Sequence, residues 1–347
     1  MAGIPGMNPA IRQTFLVDAG KFRRYHGEGL GQFLDLVTMR QNIRDIWRVV
    51  KGIWQSYIIL GKLKPDVIFT PGGYVGVPVG VASALRGISL VTHDLDSVPG
   101  LANRINSRWA RVHAVGMPKE YYSYDPAATA YVGVPVSNEF SKVSDEQMWQ
   151  FRHMIDLANH EKLLFIVGGG QGAQRINEAF ALIAQKLLAA YPGLCVVHCA
   201  GSANMEQVVA GYKVFLPPND VERIKVFGFM SDLYKYSGAA DLIITRAGAS
   251  NMAEFSVQNK PCIVIPSAVL SGGHQLKNVE HLEAAGAVTV VREYKIAEDP
   301  EVLYGAIKEL LDDDTRRHSM GEKFGSFAMP NAAADIADII SAIGKTP

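Results

Sequence analysis

Short apolar runs alternate with stretches of helical periodicity along most of the chain. In the first half, the apolar run PDVIFT is followed by a helical stretch near Val77 to Arg86, the run ISLVTH, and a second helical stretch from about Gly100 to Ala110. β-Branched runs that are spaced by helices form parallel sheets with helices on both faces. The pattern therefore predicts an α/β domain of the doubly wound type.

A second series of the same kind begins at LLFIVGGG, with later strands predicted in CVVHCAG, IKVFGF, DLIITRAG, PCIVIP and AVTVV. The chain has 347 residues, which is enough for two cores, because single cores stop growing near ~250 to 300 residues. We expect an N-terminal domain over residues 1–140, a charged linker with one helical stretch over 141–160, and a C-terminal domain over 161–329. A last helix over 330–347 follows Pro330 and could return to the first domain.

The helical stretch from Phe33 to Leu63 mixes apolar and basic residues. Several apolar residues recur three and four positions apart, as in an amphipathic helix. Two interpretations fit equally well. The helix either faces a core and presents its basic side to solvent, or lies on a membrane with Trp47 and Trp54 in the bilayer and its cations on anionic lipid. These cations are Arg40, Arg44, Arg48 and Lys51.

The net charge of the chain is zero, with 34 Lys and Arg against 34 Asp and Glu. The charge is unevenly spread, because residues 1–140 hold 15 of the basic and 10 of the acidic side chains. A basic first domain agrees with an anionic membrane surface as a partner. The overall balance gives no reason to expect a nucleic acid as a partner.

Cysteine usage indicates a reducing compartment. Cys195, Cys199 and Cys262 are too few for a disulfide framework in a chain of this length. Cys195 and Cys199 flank His198, but no second ligand cluster accompanies them, so we expect a buried strand there and no metal site. No leader sequence opens the chain, and the longest uncharged run, VIFTPGGYVGVPVGVASAL, is broken by glycines and prolines that favour strand, loop and helix over a membrane span.

Glycines directly follow the predicted strand LLFIV and precede a helix of about fifteen residues. They let the backbone approach a ligand closely, and the free N–H groups of a helix start attract phosphate. The loop also lies at the carboxyl end of a strand, where open α/β sheets bind ligands. A plain tight turn is the alternative interpretation. The loop consists of Gly168, Gly169, Gly170, Gln171 and Gly172.

A second turn of the same kind, TRAGAS, follows the run DLIIT. It places Arg246, Ala247 and Gly248 before a helix that contains Asn251 and Glu254, so that two helix starts can converge on one diphosphate. Glu254 lies about one and a half turns into this helix, where a carboxylate can accept hydrogen bonds from both hydroxyls of a ribose. An isolated glutamate would more often be a solvated surface charge, but the surrounding pattern favours the ribose.

Five ordered motifs resemble those of the lipid I N-acetylglucosaminyltransferases, the MurG family. They are GGYVGVP, HDLDSVPGLANR, GGGQGAQRIN, RAGASNMAE and HQLKN, and the resemblance covers nearly all of the chain from about Asp18. It implies the GT-B fold, in which two Rossmann-like doubly wound domains face a cleft. It also implies an inverting transfer of N-acetylglucosamine from UDP-N-acetylglucosamine (UDP-GlcNAc) to the muramoyl 4-hydroxyl of undecaprenyl-linked lipid I, which gives lipid II for peptidoglycan at the cytoplasmic face of the cell membrane.

The resemblance further implies a donor site on the second domain. Glu254 matches the glutamate that holds the ribose, Met230 falls where a main-chain group meets the uracil, and Gln275 matches a residue that binds the donor sugar. The other donor-binding matches are Gly169, Gly170, Gln171 and Gly172 beside the diphosphate, Arg246, Gly248, Ala249, Ser250, Asn251, Met252 and Ala253 beside the nucleotide, and His274 and Asn278 beside the sugar.

On the acceptor side, His93 and Asp94 are the candidates for the catalytic base that takes the proton of the acceptor hydroxyl. The tripeptide Asp94-Leu95-Asp96 has the same spacing as the metal-binding Asp-x-Asp motif of another glycosyltransferase architecture. We expect no metal or other cofactor, because two helix starts can neutralise a leaving diphosphate. The residues that match the acceptor-facing side are Gly72, Gly73, Tyr74, Asp96 and Asn103.

The chain departs from the family motifs at three places. Ser137 stands where the family commonly has Arg, and Gly170 replaces a loop serine, although main-chain N–H groups can still bind phosphate. Family members also begin with a strand and a glycine-rich loop that ends in His, and no counterpart precedes MAGIPGMNPAIRQTF. We expect this unit of about forty residues to be encoded upstream of a start site that was assigned too late.

Three other functions fit the same fold. They are transfer to another lipid acceptor, as in a diacylglycerol glucosyltransferase, epimerisation by a UDP-GlcNAc 2-epimerase, and an inactive membrane-associated scaffold. GGYVGVP and PGLANR favour lipid I. Hydrolysis of UDP-GlcNAc without transfer would indicate the epimerase, and a chain without any turnover would indicate the scaffold.

Overall fold

The computed structural model describes residues 10–20, 36–169, 172–267 and 274–344, without the side chains of residues 36–42. Within these residues the strands form two separate parallel sheets. We call the part of the chain around the first sheet the first lobe, and the part around the second sheet the second lobe. Each lobe corresponds to one of the two expected domains.

The first lobe contains four parallel strands in chain order. The strands are β1 (Val67–Thr70), β2 (Ser89–Asp94), β3 (Ala110–Val115) and β4 (Thr129–Tyr131). The helices are α1 (Leu36–Leu63), α2 (Gly76–Leu85) and α3 (Leu101–Asn106), and single 3-10 turns cover Lys119–Tyr121 and Pro126–Ala128. α3 is shorter than predicted, because a turn between Asn106 and Trp109 leads directly into β3.

The second lobe contains six parallel strands in the order β10-β9-β8-β5-β6-β7, so that the order reverses between β5 and β8. The strands are β5 (Lys162–Val167), β6 (Leu194–Cys199), β7 (Ile224–Phe227), β8 (Leu242–Thr245), β9 (Cys262–Val264) and β10 (Thr289–Val290). The helices are α4 (Asp145–Met154), α5 (Gln174–Ala190), α6 (Met205–Phe215), α7 (Pro218–Val221), α8 (Leu233–Ala239), α9 (Ala249–Val257), α10 (His274–Ala284), α11 (Glu293–Glu298), α12 (Glu301–Leu311), α13 (Asp314–Gly325) and α14 (Ala332–Gly344).

β5 shows why the strands of the second lobe read as continuous apolar runs. Leu164 and Ile166 pack into one apolar cluster with α5 and α12, and Leu163 and Phe165 pack into another with α9 and α10. Side chains of a strand point alternately to its two faces. A sheet that is covered on both faces therefore needs apolar residues at every position.

The three cysteines are free and buried, as expected. His198 lies in the buried strand β6, where its ring bonds to the Tyr212 hydroxyl at 2.7 Å and to Asn177 Oδ1 at 2.9 Å. These contacts satisfy the histidine within the core. In the part of the chain that the structure describes, no cluster of three or more His, Cys, Asp or Glu has the arrangement of a metal site.

The segment predicted as a linker contains α4, which packs against α8 of the second lobe. Ser144 and Gln147 form a reciprocal capping box at its start. Arg152 near its end is buried and pairs with Asp241 at 2.6 Å. α4 is thus anchored to the second lobe, and residues 132–143 pass between the lobes without helix or strand.

α14 returns to the first lobe, which the sequence had left open. Ile336, Ile339 and Ile340 pack against Ala114 of β3 and Val132 after β4. The C-terminal helix therefore ties the end of the chain to the first sheet.

α1 turns many of its apolar residues outward, which favours the interpretation of a surface helix, although Leu60 is buried. The side that packs against α2 carries small and polar residues, among them the buried Asp45, Gly52 and Ser56. Trp47 and Trp54 are 70% and 65% exposed. Among the residues described, none of the helices has the length and apolarity needed to cross a bilayer.

Candidate active site between the two lobes

The two glycine turns of the second lobe follow strands that are hydrogen-bonded neighbours. β5 pairs with β8, and Val167 lies beside Thr245 at the carboxyl ends of the two strands. Neighbouring strands lie about 5 Å apart, so the turns begin side by side. The strand order reverses at the same point, which is where open α/β sheets bind ligands.

The first turn combines close backbone packing with open space. Gly169 and Gly172 have left-handed φ angles of +85° and +77°. A Cβ at Gly172 would collide with the carbonyl oxygen of Ala200, whereas a Cβ at Gly169 would meet no atom of the described residues within 4 Å. Packing therefore requires glycine at position 172, while Gly169 borders free space. The predictions for Gly170 and Gln171 lie outside the described residues.

The helices that follow both turns begin without a capping side chain. Ala173 and Gly248 occupy the N-cap positions of α5 and α9, and neither provides a side-chain acceptor for the first-turn N–H groups. A Cβ at Gly248 would meet nothing within 4 Å. Two adjacent helix starts with unused N–H groups and room in front of them can bind a diphosphate.

Glu254 is a half-buried carboxylate on α9. Burial raises the pKa of Glu254 from its ordinary value of 4.5 to about 7, and in the described part of the chain no hydrogen bond to this carboxylate lowers the pKa again. A desolvated acceptor of this kind is stabilised by a ligand that donates hydroxyls to it. The geometry is compatible with the ribose contact that the sequence predicts.

Arg246 does not point into the open space, although the sequence places it at the donor site. Its guanidinium pairs with Glu293 and donates to the carbonyl of Ile265 at 3.1 Å, and its side chain is 12% exposed. Glu293 also pairs with Arg175 at 3.0 Å, and the Arg175 side chain is 51% exposed. Arg246 therefore cross-links the ends of β8, β9 and β10, and its expected contact with the donor stays a prediction.

Asn278 bridges the two lobes and is almost fully buried, and its assignment to the donor sugar stays a prediction. Its Oδ1 accepts from the main-chain N–H of Ser97 at 2.9 Å. Its Nδ2 donates to Asp96 Oδ1 at 2.9 Å and to the carbonyl of Ala247 at 3.1 Å. At 1% exposure and with these three bonds, the amide has no polar atom left for a ligand in this conformation.

Two other residues assigned to the donor sugar lie on α10. Gln275 is 6% exposed and its Oε1 accepts from the main-chain N–H of Ser267 at 2.8 Å. This bond fixes the end of the loop that leads away from β9. His274 is half-buried, and its carbonyl accepts from the Ser97 hydroxyl at 3.4 Å.

The residues of α9 divide between the lobe interface and the surface. Ala249 packs with Val115, Met117, Tyr122 and Val134 of the first lobe. Its side chain therefore contributes to the lobe interface, and only its main chain is available to a nucleotide. Met252 and Ala253 also line the interface beside Met117, while Ser250 is exposed and Asn251 is half-buried.

Met230 follows β7, two strands away from β5. It is half-buried and packs at the margin of the core cluster around Phe165. The structure thus leaves the main chain after Met230 at the carboxyl edge of the sheet, on the same edge as the glycine turns.

On the first lobe, the glycine loop after β1 remains open. Gly72 and Gly73 have φ angles of +92° and +81°, and a Cβ at Gly73 would meet nothing within 4 Å. Tyr74 is 49% exposed. All three predicted acceptor-facing residues are accessible at this loop.

His93 and Asp94 are buried and bonded, which argues against either as the catalytic base. His93 is 1% exposed, its Nε2 bonds to the Gly133 carbonyl at 2.9 Å, and burial lowers the pKa of His93. Asp94 is 4% exposed; its Oδ1 accepts from Asn103 Nδ2 at 2.9 Å and its Oδ2 from the Tyr124 hydroxyl at 2.8 Å. A base needs access to the proton it takes, and both side chains are almost fully buried, with His93 Nε2 and the two Asp94 oxygens already bonded.

Asn103 donates into the same network, while its Oδ1 is buried without a partner among the described residues, so its assignment to acceptor contact stays a prediction. It is 1% exposed, and its Nδ2 donates to the His93 carbonyl at 2.8 Å as well as to Asp94. Asn103 and Asp94 therefore hold the loop after β2 in place. Asp96, by contrast, is half-buried at the lobe interface.

Sequence reasoning missed three residues that shape the site. Tyr124 bonds to Asp94 and stacks on His113 with ring centroids 4.0 Å apart. The main-chain N–H of Ser97 donates the interlobe bond to Asn278 Oδ1, and Glu293 anchors Arg246. Of these three residues, only Glu293 could have been found from the local sequence. It follows a predicted strand and is the first residue of a helix, and site residues of such sheets lie at the same kind of position.

Two family models match the chain: the glycosyltransferase family 28 C-terminal domain over residues 163–338 and the glycosyltransferase family 28 N-terminal domain over residues 28–115. A Geobacillus kaustophilus protein is 32% identical over 316 residues, which cover 90% of this chain and 80% of that protein. It is named UDP-N-acetylglucosamine–N-acetylmuramyl-(pentapeptide) pyrophosphoryl-undecaprenol N-acetylglucosamine transferase. A Clostridium kluyveri protein of the same name is 29% identical over 94% of this chain and 84% of its own length.

Two solved structures resemble the chain in fold. The crystal structure of Acinetobacter baumannii MurG matches with a TM-score of 0.65 at 25% identity, covering 85% of this chain and 80% of that one. A Staphylococcus aureus MnaA structure with UDP matches with a TM-score of 0.61 at 17% identity over 84% and 80% of the two chains, a likeness of fold alone. The predicted GT-B fold with two Rossmann-like domains is confirmed.

Proposed function

The chain belongs to glycosyltransferase family 28, and we propose that it transfers N-acetylglucosamine from UDP-GlcNAc to undecaprenyl-linked lipid I, with inversion at the anomeric carbon, to give lipid II. The observation that carries the proposal is the pair of uncapped helix starts after β5 and β8, side by side at the switch point. In this reaction the leaving UDP gains charge on its diphosphate, which these helix starts stabilise. The acceptor hydroxyl approaches from the first lobe.

We assign the donor to the second lobe. The ribose hydroxyls donate to Glu254, whose carboxylate is desolvated without a partner that would hold it ionised. The diphosphate lies between the turn at Gly169 and the turn at Gly248, because both border open space. The acceptor pyrophosphate and sugar lie against the glycine loop at Gly73 and Tyr74.

The test is turnover of radiolabelled UDP-GlcNAc with a lipid I analogue by the purified chain. We expect label in a lipid II product, with UDP released in equal amount. Free labelled sugar without lipid product would replace the proposal by hydrolysis or epimerisation. A chain that binds UDP but turns over nothing would support the inactive scaffold.

We also propose that α1 binds the cytoplasmic face of the cell membrane. Its outward side carries a continuous set of exposed apolar residues, with two tryptophans. Lys51 pairs with Asp18 at 2.8 Å and Arg48 with Asp45 at 3.5 Å, which partly neutralises the basic set. Insertion of apolar side chains should therefore contribute more than attraction to anionic lipid. The exposed residues are Ile43, Ile46, Trp47, Val50, Trp54 and Ile58.

Vesicle co-sedimentation tests this surface. The double variant Trp47→Ser and Trp54→Ser should lose most vesicle binding, while salt should reduce binding of the native chain only slightly. Trp149→Ser is the matched control, because Trp149 is 58% exposed but lies on α4 of the second lobe. Equal losses in the control and the double variant would contradict the proposal.

The reaction is proposed to need no metal ion. The two helix starts and their dipoles supply the positive potential for the diphosphate. Turnover should persist after treatment with EDTA, and restoration of a lost activity by Mg²⁺ or Mn²⁺ would overturn this part of the proposal.

A further inference from the structure

The mechanism still needs a base, because the two predicted candidates are enclosed. His93 Nε2 is bonded to the Gly133 carbonyl, and both carboxylate oxygens of Asp94 are bonded, to Asn103 and Tyr124, inside the first lobe. A base must reach the acceptor hydroxyl from the cleft. The next carboxylate along the same loop, Asp96, has a different environment.

Asp96 has one bonded and one free carboxylate oxygen. Oδ1 accepts from Asn278 Nδ2 at 2.9 Å. Among the residues that the structure describes, none donates a hydrogen bond to Oδ2. The residue is half-buried at the place where the lobes meet, and a hydroxyl that reaches Oδ2 there would displace no hydrogen bond from the described residues.

A single amide group connects Asp96 to the donor turn. Asn278 Nδ2 donates both to Asp96 Oδ1 and to the carbonyl of Ala247, at 2.9 and 3.1 Å. These two oxygens are therefore less than about 6 Å apart. Ala247 directly precedes Gly248, the N-cap of α9. The carboxylate thus belongs to the acceptor lobe but lies next to the turn to which we assign the donor diphosphate.

The loop that carries Asp96 is held from both lobes. The Tyr122 hydroxyl donates to the Asp96 carbonyl at 2.9 Å, and the neighbouring Ser97 N–H bonds to Asn278 Oδ1 at 2.9 Å. Asp94 anchors the loop from behind through Asn103. These bonds fix the main chain next to the Asp96 side chain. A fixed main chain gives a catalytic side chain a defined orientation.

We infer that Asp96 is the general base of the transfer, with Asn278 as the positioning residue that orients it. The inference rests on the proposed function. Asp96 Oδ2 takes the proton of the acceptor hydroxyl as its oxygen forms a bond to the anomeric carbon. The bond from that carbon to the UDP oxygen breaks, and its electron pair leaves with the diphosphate.

Asp96→Asn tests the inference directly. The asparagine keeps an oxygen that accepts from Asn278 but does not take a proton. General bases contribute roughly 10²- to 10⁴-fold, so kcat with a lipid I analogue should fall at least about 100-fold. The KM for UDP-GlcNAc and the affinity for UDP should change less than about threefold, because donor contacts are retained. Asp66→Asn is the matched control, since Asp66 is exposed just before β1.

A second variant distinguishes a base from a structural carboxylate. Asp96→Ala leaves a gap at the same place, and added formate should restore part of its kcat by acting as an external base. No formate effect is expected with Asp94→Ala. The inference is overturned if Asp96→Asn keeps more than about a tenth of native kcat, or if UDP affinity falls in parallel with kcat. If the native chain itself makes no lipid II, the proposed function fails. If the native chain is active and Asp96→Asn is equally active, only the assignment of Asp96 as the base fails.

Discussion

The two lobes present their polar groups in different ways. On the second lobe, the helix starts at Gly248 and Ala173 are uncapped, and the Glu254 carboxylate lacks a partner in the described part of the chain. On the first lobe, His93 and Asp94 are enclosed by bonds to their own lobe. Unsatisfied groups mark a place that a ligand completes, while satisfied buried groups build the support. The comparison teaches that the described polar groups of the second lobe are open to an anionic ligand, as the proposed function requires, and that His93 and Asp94 of the first lobe are bonded within that lobe.

The first prediction concerns the buried ion pairs of Glu293, which hold the strand ends of the second lobe in place. Glu293 is buried between Arg246 and Arg175, so Glu293→Gln leaves a buried guanidinium without its counter-charge. Removal of one partner of a buried ion pair destabilises by about 3 to 5 kcal/mol. We expect a large fall in the free energy of unfolding, measured by urea denaturation, and weaker UDP binding. The exposed pair of Lys186 and Glu301 is the control, because Glu301→Gln should change stability by less than about 1 kcal/mol.

The ribose assignment is tested by Glu254→Ala. Loss of charged hydrogen bonds worth about 1.5 to 3 kcal/mol should raise the KM for UDP-GlcNAc roughly 10- to 100-fold. Isothermal titration with UDP should show a similar loss of affinity. Glu206→Ala serves as the control, because Glu206 is an exposed residue of α6. Unchanged donor kinetics would refute the assignment and with it the view of the second lobe as the nucleotide site.

On the first lobe, Asp94→Asn tests whether Asp94 stabilises the fold and does not act as the base. The change disturbs the hydrogen bonds of Asp94 to Asn103 and Tyr124 and should lower the free energy of unfolding by about 1 to 3 kcal/mol. At a temperature where the variant is folded, kcat should stay within about tenfold of the native value. A fall of 1,000-fold in kcat with unchanged stability would restore Asp94 as the base.

Local patterns explain which parts were predictable from the sequence. The turns after β5 and β8 follow from an apolar run and the glycines next to it, and both were placed correctly. That the turns lie side by side depends on the strand order, which a local pattern does not contain.

Several of the predicted site residues have hydrogen-bond partners far away in the chain, which the sequence does not reveal. Asn278 bonds to Ser97 across 181 positions, and the sequence gives no sign of this contact. The direction of α1 was undecided for a related reason. Its buried side includes Asp45, Gly52 and Ser56 as well as Leu60, so the apolar pattern reveals a stripe but not the surface that covers it.

The smallest predicted effect concerns the ionisation of Glu254 in the chain without ligand. Its pKa is about 7 in the folded state against an ordinary 4.5. Because the folded pKa is raised, the protonated carboxyl adds stability below pH 4.5, and this contribution is lost as the pH rises through 7. Glu254→Gln removes the dependence, so the variant should match the native chain near pH 4.5 and exceed its stability by about 1 kcal/mol at pH 8, after allowance for solvent screening. Thermal unfolding at both pH values measures the difference. A variant that is less stable than the native chain at pH 8 would mean that the carboxylate already has a hydrogen-bond partner without a ligand. Glu254 would then no longer distinguish an open second lobe from an enclosed first lobe.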